Sequence, residues 1–211
     1  MKKQIKPEAA RPNIVESIPR MSVYVLVFLF PLWFLPFTQN GLTLAKQVLV
    51  IALVCVGLFA WLARAAHRGE LTLRVSKLHI ATAGVLAAAG ISTFFSLWPY
   101  GSFWGWASDI NDSFLTLLAF GTLSFLISQT TQNAKQLLRV LGVLAVSGTL
   151  AGVFALLQSK GVFLLPLELI RTPLFNTLGS SNSAALLAAV LLPLAMSLAS
   201  VANPPFRVLF W

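Results

Sequence analysis

Residues 42–77 decide the fold, and they read LTLAKQVLVIALVCVGLFAWLARAAHRGELTLRVSK. The first part, Leu42–Leu62, is almost wholly apolar and about as long as the roughly 20 residues that a helix needs to cross a bilayer. The second part is a loop with four basic side chains: Arg64, Arg68, Arg74 and Lys77. An apolar span that leads into a basic loop predicts a transmembrane helix that ends in the cytoplasm.

Apolar stretches of similar length fill most of the remaining chain. They are Met21–Phe37, Leu78–Leu97, Ser113–Ile127, Leu137–Leu157 and Ser183–Val201. Apolar residues make up 57% of the chain and charged residues 10%, a balance that one water-soluble core of this size could not accommodate. Because the alternation of a barrel strand is absent, the sequence predicts an all-α integral membrane protein, a bundle of about six transmembrane helices.

The basic residues predict the orientation of this bundle. Twelve of the fifteen Lys and Arg residues fall in the N-terminal tail, in alternate loops or near the C-terminus. Only Lys46, Lys160 and Arg171 fall on the other side. By the positive-inside rule we expect an N-in/C-in topology. Anionic lipid beside these basic loops explains the net charge of +9, so we expect no nucleic acid partner.

Composition divides the chain into three segments. Residues 1–20 are polar and charged and are predicted to form a disordered cytoplasmic tail. Residues 21–201 form the predicted polytopic membrane domain, and residues 202–211 begin a further apolar segment. Gly148 and Gly152, four residues apart, predict close helix packing within the bundle.

The motifs of soluble enzymes are absent from the sequence. It has no Gly-rich phosphate loop, no Gly-x-Ser-x-Gly elbow and no His/Cys cluster with metal-ligand spacing. His67 and His79 fall in or near a cytoplasmic loop, where we expect them to be solvated. We therefore assign no catalytic residue, no metal and no cofactor.

Two features of the predicted outer face are candidates for binding. Arg171 follows a short apolar segment, and its guanidinium suits either a diphosphate or a lipid headgroup. The loop at residues 98–112, WPYGSFWGWASDIND, carries Trp104 and Trp106. These rings suit an aromatic belt at the membrane surface or a stacking surface for a sugar or lipid headgroup, and the sequence leaves both interpretations open.

Four features, taken in chain order, resemble the O-antigen ligase/polymerase family of bacterial envelope proteins. They are Lys46 at the opening of the second span, ISTFFSLWPYGSFWGW (91–106), GVFALLQSKG (152–161) and RTPLFNTLGSSNSAALLAAVLLPLAM (171–196). Each motif alone is weak, and the resemblance depends on their order along residues 42–196.

This resemblance implies a membrane glycosyltransferase of the bacterial inner membrane. Members transfer or polymerise a glycan carried on polyprenyl diphosphate, on the outer face and without a metal. Arg171 matches the family's diphosphate-binding arginine, and Lys46, Trp104 and Trp106 complete the expected substrate-binding set. The expected partners are the lipid-linked glycan and membrane lipid. Members have further spans and carry the catalytic base in a later outer loop. The resemblance therefore implies that this chain is the N-terminal half of a larger membrane domain, and we do not expect the base in these residues.

Two other functions fit the same sequence. The chain could be half of a transporter or flippase, or a non-enzymatic membrane scaffold. No Asp, Glu, Lys or Arg lies deep within a predicted span, which argues against an ion-coupled transporter. The sequence leaves open the glycan, the acceptor and the oligomeric state.

Overall fold

The chain folds as a bundle of α-helices. The computed structural model describes residues 14–34, 42–69, 73–105, 113–163 and 175–202, and all regular structure within these ranges is α-helical. In chain order the helices are α1 (Ile14–Leu29), α2 (Thr43–Arg68), α3 (Lys77–Phe94), α4 (Pro99–Trp104), α5 (Phe114–Thr130), α6 (Ala134–Ser159) and α7 (Ser181–Ala202).

Four of these helices, α2, α3, α6 and α7, are long and apolar enough to cross a membrane. The helices α1 and α5 are apolar but shorter, with 16 and 17 residues. Large apolar side chains are exposed along the long helices, as at Ile80, Ile91 and Phe94 of α3. Lipid is the solvent that accepts such a surface, so the chain is a multi-pass membrane protein.

Five of the predicted spans coincide with helices to within three residues at each end, except that α2 continues six residues beyond the predicted end at Leu62. The first span does not coincide with its helix. The prediction was Met21–Phe37, whereas α1 begins at Ile14, inside the predicted tail, and ends at Leu29. The N–H groups of Leu32 and Trp33 both donate to the Leu29 carbonyl, at 2.9 and 2.7 Å, which closes the helix. Pro31 lacks the N–H that a continuing helix would need. Residues 35–37 and 203–211 lie outside the described residues.

The centre of the bundle is formed by α1, α2 and α5. Its buried apolar side chains are Val23, Leu26, Leu49, Val50, Val54, Trp61, Ala119 and Leu126. A glycine brings the three helices together: a Cβ on Gly57 would lie 3.0 Å from Leu126 Cδ1 and 3.4 Å from Ser22 Cβ. Small residues drive close helix approach in membranes because lipid provides no hydrophobic force between helices.

Further small residues bring α6 close to α7 and α3 close to α5. The two glycines of the predicted pair differ in their surroundings. A Cβ on Gly148 would overlap Leu191 of α7, whereas Gly152 faces open space. Close packing within the bundle is therefore confirmed at Gly148 alone. On the opposite side, Leu86 of α3 covers Gly121 of α5.

The bundle has two ends that differ in chemistry. The helices α2 and α5 begin at the first, which we call the Lys46 end. At the second, the Arg20 end, α5 is joined to α6 by residues 131–133 and the groove between α1 and α6 holds Arg20 and Arg139.

Candidate functional site

Lys46 lies in the first turn of α2 and is half-buried. Its Nζ donates a hydrogen bond to the backbone carbonyl of Thr177, at 2.7 Å, and lies 5.5 Å from the centroid of the Phe30 ring. Along α2 the next charged residue is Arg64, 18 residues later, or about 27 Å at a rise of 1.5 Å per residue. Since the hydrocarbon core is roughly 30 Å thick, these two residues mark its borders on α2.

Beside Lys46, a buried polar cluster joins α2 to α5. The Gln47 Nε2 donates to Thr116 Oγ1 at 2.8 Å and to Ser113 Oγ at 3.3 Å. Ser113 is also the N-cap of α5, because its Oγ accepts from the Thr116 backbone N–H at 3.2 Å. In an apolar medium each polar group needs such a partner, so this cluster fixes how α2 and α5 meet.

A cavity of about 280 Å³ opens between these helices and the segment before α7. Its walls are Phe30, Leu42, Thr43, Lys46, Gln47, Val50, Ile51, Thr116, Ala119, Phe120, Leu178 and Gly179. Lys46 is the charged residue among them, and the other polar groups are neutral. Among the described residues, the cavity therefore offers one cation, Lys46, beside apolar walls.

A second cavity, of about 670 Å³, adjoins the first across Thr116 and Phe120, which line both. It lies between α3, α4 and α5, and hydroxyl groups line much of it. These belong to Ser92, Thr93, Ser96, Ser102, Ser113 and Thr116. The Ser102 Oγ donates to Ser96 Oγ at 2.7 Å, which ties the short helix α4 to the end of α3. Hydroxyls both donate and accept, so this lining can bind a neutral polyhydroxyl ligand.

The segment that receives the Lys46 hydrogen bond is itself held by a tight turn. Asn176 Oδ1 accepts from the Leu178 N–H at 2.9 Å, and Gly179 has a φ of 101° that a residue with a Cβ rarely adopts. Asn176 and Thr177 are both buried. The Thr177 Oγ1 is buried without a hydrogen-bond partner within the described residues, and it is a free group close to Lys46.

Two of the four predicted binding residues, Lys46 and Trp104, are among the described residues, and the structure places them differently. Lys46 lines the first cavity as described above. Trp104, at the end of α4, is half-exposed and packs against Phe103, with ring centroids 5.1 Å apart, but it lines neither cavity. Arg171 and Trp106 lie outside the described residues.

Sequence reasoning missed the polar groups that surround Lys46. Gln47, Thr116 and Thr177 form the polar part of the site, and only Gln47 carried a signal, as an amide within an apolar run. His79, expected to be solvated, has a structural position instead. Its Nδ1 accepts from the Ser76 N–H at 3.0 Å at the start of α3, and its ring packs on Phe125.

Titratable metal ligands do not gather anywhere in the described part of the chain. No group of three His, Cys, Asp or Glu side chains is present within it. The described polar groups at the Lys46 end are one ammonium group, neutral hydroxyls, an amide and backbone carbonyls. Such groups can bind and orient a ligand through hydrogen bonds.

Comparison with protein-family models, curated proteins and solved structures finds no match to this chain. The resemblance to the O-antigen ligase/polymerase family consequently remains an expectation from the sequence motifs.

Proposed function

We propose that this chain is the N-terminal part of an O-antigen ligase-like membrane glycosyltransferase. It transfers or polymerises a glycan from a polyprenyl-diphosphate carrier on the outer face of the bacterial inner membrane. The observation that carries this proposal is the position of Lys46, the one cation among the described residues of the first cavity, next to a second cavity lined by hydroxyls.

The diphosphate is assigned to Lys46. An ammonium group has three N–H donors, and one of them is used by the Thr177 carbonyl. The remaining donors suit phosphate oxygens, and a charge-assisted hydrogen bond of this kind is roughly twice as strong as a neutral one. The polyprenyl tail requires an apolar surface next to the phosphates, which the lipid-facing sides of α2 and α5 supply.

The glycan is assigned to the second cavity. Its volume of about 670 Å³ lies within the usual range of ligand pockets, roughly 300–1,000 Å³. Ser92, Ser96 and Ser102 supply hydroxyls that match those of a sugar. Arg171 is proposed as a second contact to the diphosphate, and Trp104 and Trp106 as rings at the outer headgroup level. The residues of this chain bind and position the donor, and the base that activates the acceptor is not among them.

The proposal requires six spans with the N-terminus in the cytoplasm. Two features support this topology: six apolar helices alternate in direction between the two ends, and Arg20, Arg74 and Arg139 all lie at one end. The test uses single cysteines in a Cys55→Ser background, labelled in intact cells by an impermeant maleimide. We expect labelling at Leu178 and none at Val75, and labelling at Val75 would overturn the topology.

Binding of the carrier tests the proposed function directly. The purified protein in lipid nanodiscs is titrated with polyprenyl diphosphate carrying a short glycan. Losing a charge-assisted contact costs about 1.5–3 kcal/mol, so we expect binding to Lys46→Met to be roughly 10- to 150-fold weaker. Lys160→Met is the matched control because Lys160 is exposed and lines neither cavity. Equal affinity in wild type and Lys46→Met would contradict the proposal.

A transfer assay separates the glycosyltransferase from the other two functions. Proteoliposomes that contain the full-length protein, a fluorescent lipid-linked glycan and an acceptor are sampled for glycan on the acceptor. The same vesicles report movement of the carrier between leaflets. Movement of the carrier without transfer of the glycan would identify a flippase. If the protein neither binds nor moves the carrier, the scaffold function would remain.

A further inference from the structure

A groove between α1 and α6 at the Arg20 end is the basis of a second site, far from Lys46. Its volume is about 540 Å³. It is lined by Arg20, Tyr24, Phe28, Arg139, Gly142, Val143 and Val146, and we call it the α1–α6 groove. We propose that it binds a membrane phospholipid with an anionic headgroup, whose phosphate contacts the two arginines and whose acyl chain lies along the apolar wall.

The two arginines of the α1–α6 groove favour an anionic ligand. Arg20 and Arg139 approach it from different helices, so two like charges face one space. The Arg20 Nε is buried without a hydrogen-bond partner within the described residues. A buried donor that stays unpaired is costly, and guanidinium groups match phosphate oxygens in geometry as well as charge. No described side chain is acidic, and Glu16, one turn before Arg20 in α1, is not among the described side chains.

The apolar wall of the groove favours a ligand with an acyl chain over a soluble anion. Tyr24 and Phe28 follow Arg20 at intervals of four residues, which places the three on one face of α1 over about 12 Å. Gly142 keeps the groove open from the side of α6, since a Cβ there would meet no atom within 4 Å. Phe28 and Val146 remain exposed, so the groove opens to the lipid along its length. A free phosphate would leave this wall unused.

The test measures lipid binding to the purified full chain by native mass spectrometry in detergent. Phosphatidylglycerol and phosphatidylcholine with the same acyl chains are titrated separately. We expect phosphatidylglycerol to bind at least about 10-fold more tightly, because only it carries a net negative headgroup for the two arginines. Arg20→Gln and Arg139→Gln should each weaken its binding by about 10-fold or more.

Two variants make the test specific to the groove. Lys135→Gln removes the same charge from the start of α6, but Lys135 does not line the groove, so binding should stay within about 2-fold of wild type, well under the 10-fold loss of a charge-assisted contact. Gly142→Leu fills the open part of the groove, and it should weaken phosphatidylglycerol binding while both arginines remain. Only variants with the helicity of wild type are compared. If Arg20→Gln does not fold, Arg20→Lys replaces it, because lysine keeps the positive charge but lacks the paired N–H donors of the guanidinium.

Four results would overturn the proposal. The first is equal affinity of wild type for the two lipids. The second is an equal loss in Lys135→Gln and Arg139→Gln, which would indicate a diffuse surface charge. The third is displacement of the lipid by glycerol phosphate at the same concentration, which would indicate a soluble anion. The fourth is a 10-fold gain in Glu16→Gln, which would make Glu16 the partner of Arg20. No glycan is present, so these results do not depend on the proposed function.

Discussion

The site at the Lys46 end and the α1–α6 groove at the Arg20 end differ in how their polar side chains are paired. At the Lys46 end the polar side chains are buried and bonded to one another across helices, as Gln47 is to Ser113 and Thr116. At the Arg20 end the guanidinium groups of Arg20 and Arg139 face a groove that opens to lipid. A buried network fixes the geometry of helices, whereas free charged groups leave room for a ligand. The Lys46 end combines both, since Lys46 lies beside this network, donates to the Thr177 carbonyl and also borders a cavity.

The largest expected effect comes from Gly57, which lies between the two ends. Gly57→Leu places a side chain where a Cβ alone already meets Leu126 and Ser22. Overpacking of this kind typically costs 1–3 kcal/mol, and we expect about 3 because three helices meet here. Thermal unfolding in detergent measures it. Gly152→Leu is the control because Gly152 faces open space, and an equal loss in both variants would contradict the packing described here.

Gln47→Leu breaks the network at the Lys46 end. It keeps the volume of the side chain but removes the donor that Thr116 and Ser113 accept from, so their hydroxyls lose a partner in a buried position. We expect a loss of about 2 kcal/mol of unfolding free energy. The loss should fall well below that value in the Thr116→Val background, because the two side chains share one hydrogen bond. Additive losses would show that they act independently.

Lys46→Met tests the Lys46 end of the bundle further, because it removes the positive charge and keeps a side chain of similar length. The Thr177 carbonyl loses its donor, so the segment at residues 175–179 should open more often. A cysteine at position 177, in a Cys55→Ser background, reports this opening by its rate of maleimide labelling. We expect labelling to rise about 10-fold, the equivalent of 1.4 kcal/mol. An unchanged rate would mean that other contacts hold the segment.

The smallest effect is expected at Gln129, near the Arg20 end. Its side-chain amide pairs with both backbone groups of Arg74: Oε1 accepts from the N–H at 3.2 Å and Nε2 donates to the carbonyl at 3.0 Å. Arg74 is exposed, so water replaces these bonds in Gln129→Leu. We expect a loss below about 1 kcal/mol, less than in Gln47→Leu, although each glutamine makes two hydrogen bonds. A reversed order would mean that the Arg74 loop is shielded from water.

The sequence predicted most helix positions because a long apolar run is a strong signal in lipid. It failed at α1, where the apolar residues continue past the helix end at Leu29 and hydropathy cannot register the turn at Pro31. It also found Lys46 but not the set around it. Thr116 and Thr177 are ordinary threonines in the sequence, and 69 and 131 residues separate them from their partners on α2, so only the folded chain brings them together.

One hydrogen bond of the bundle bears on the order in which the chain is assembled during synthesis. The carbonyl of Phe28 is left free because Leu32, which would pair with it in a longer helix, donates to Leu29 instead. Its partner is the hydroxyl of Ser147, 119 residues later in α6. An unpaired carbonyl in hydrocarbon costs several kcal/mol. We therefore expect α1 to stay beside water or the insertion machinery at this point until α6, which carries Ser147, is inserted.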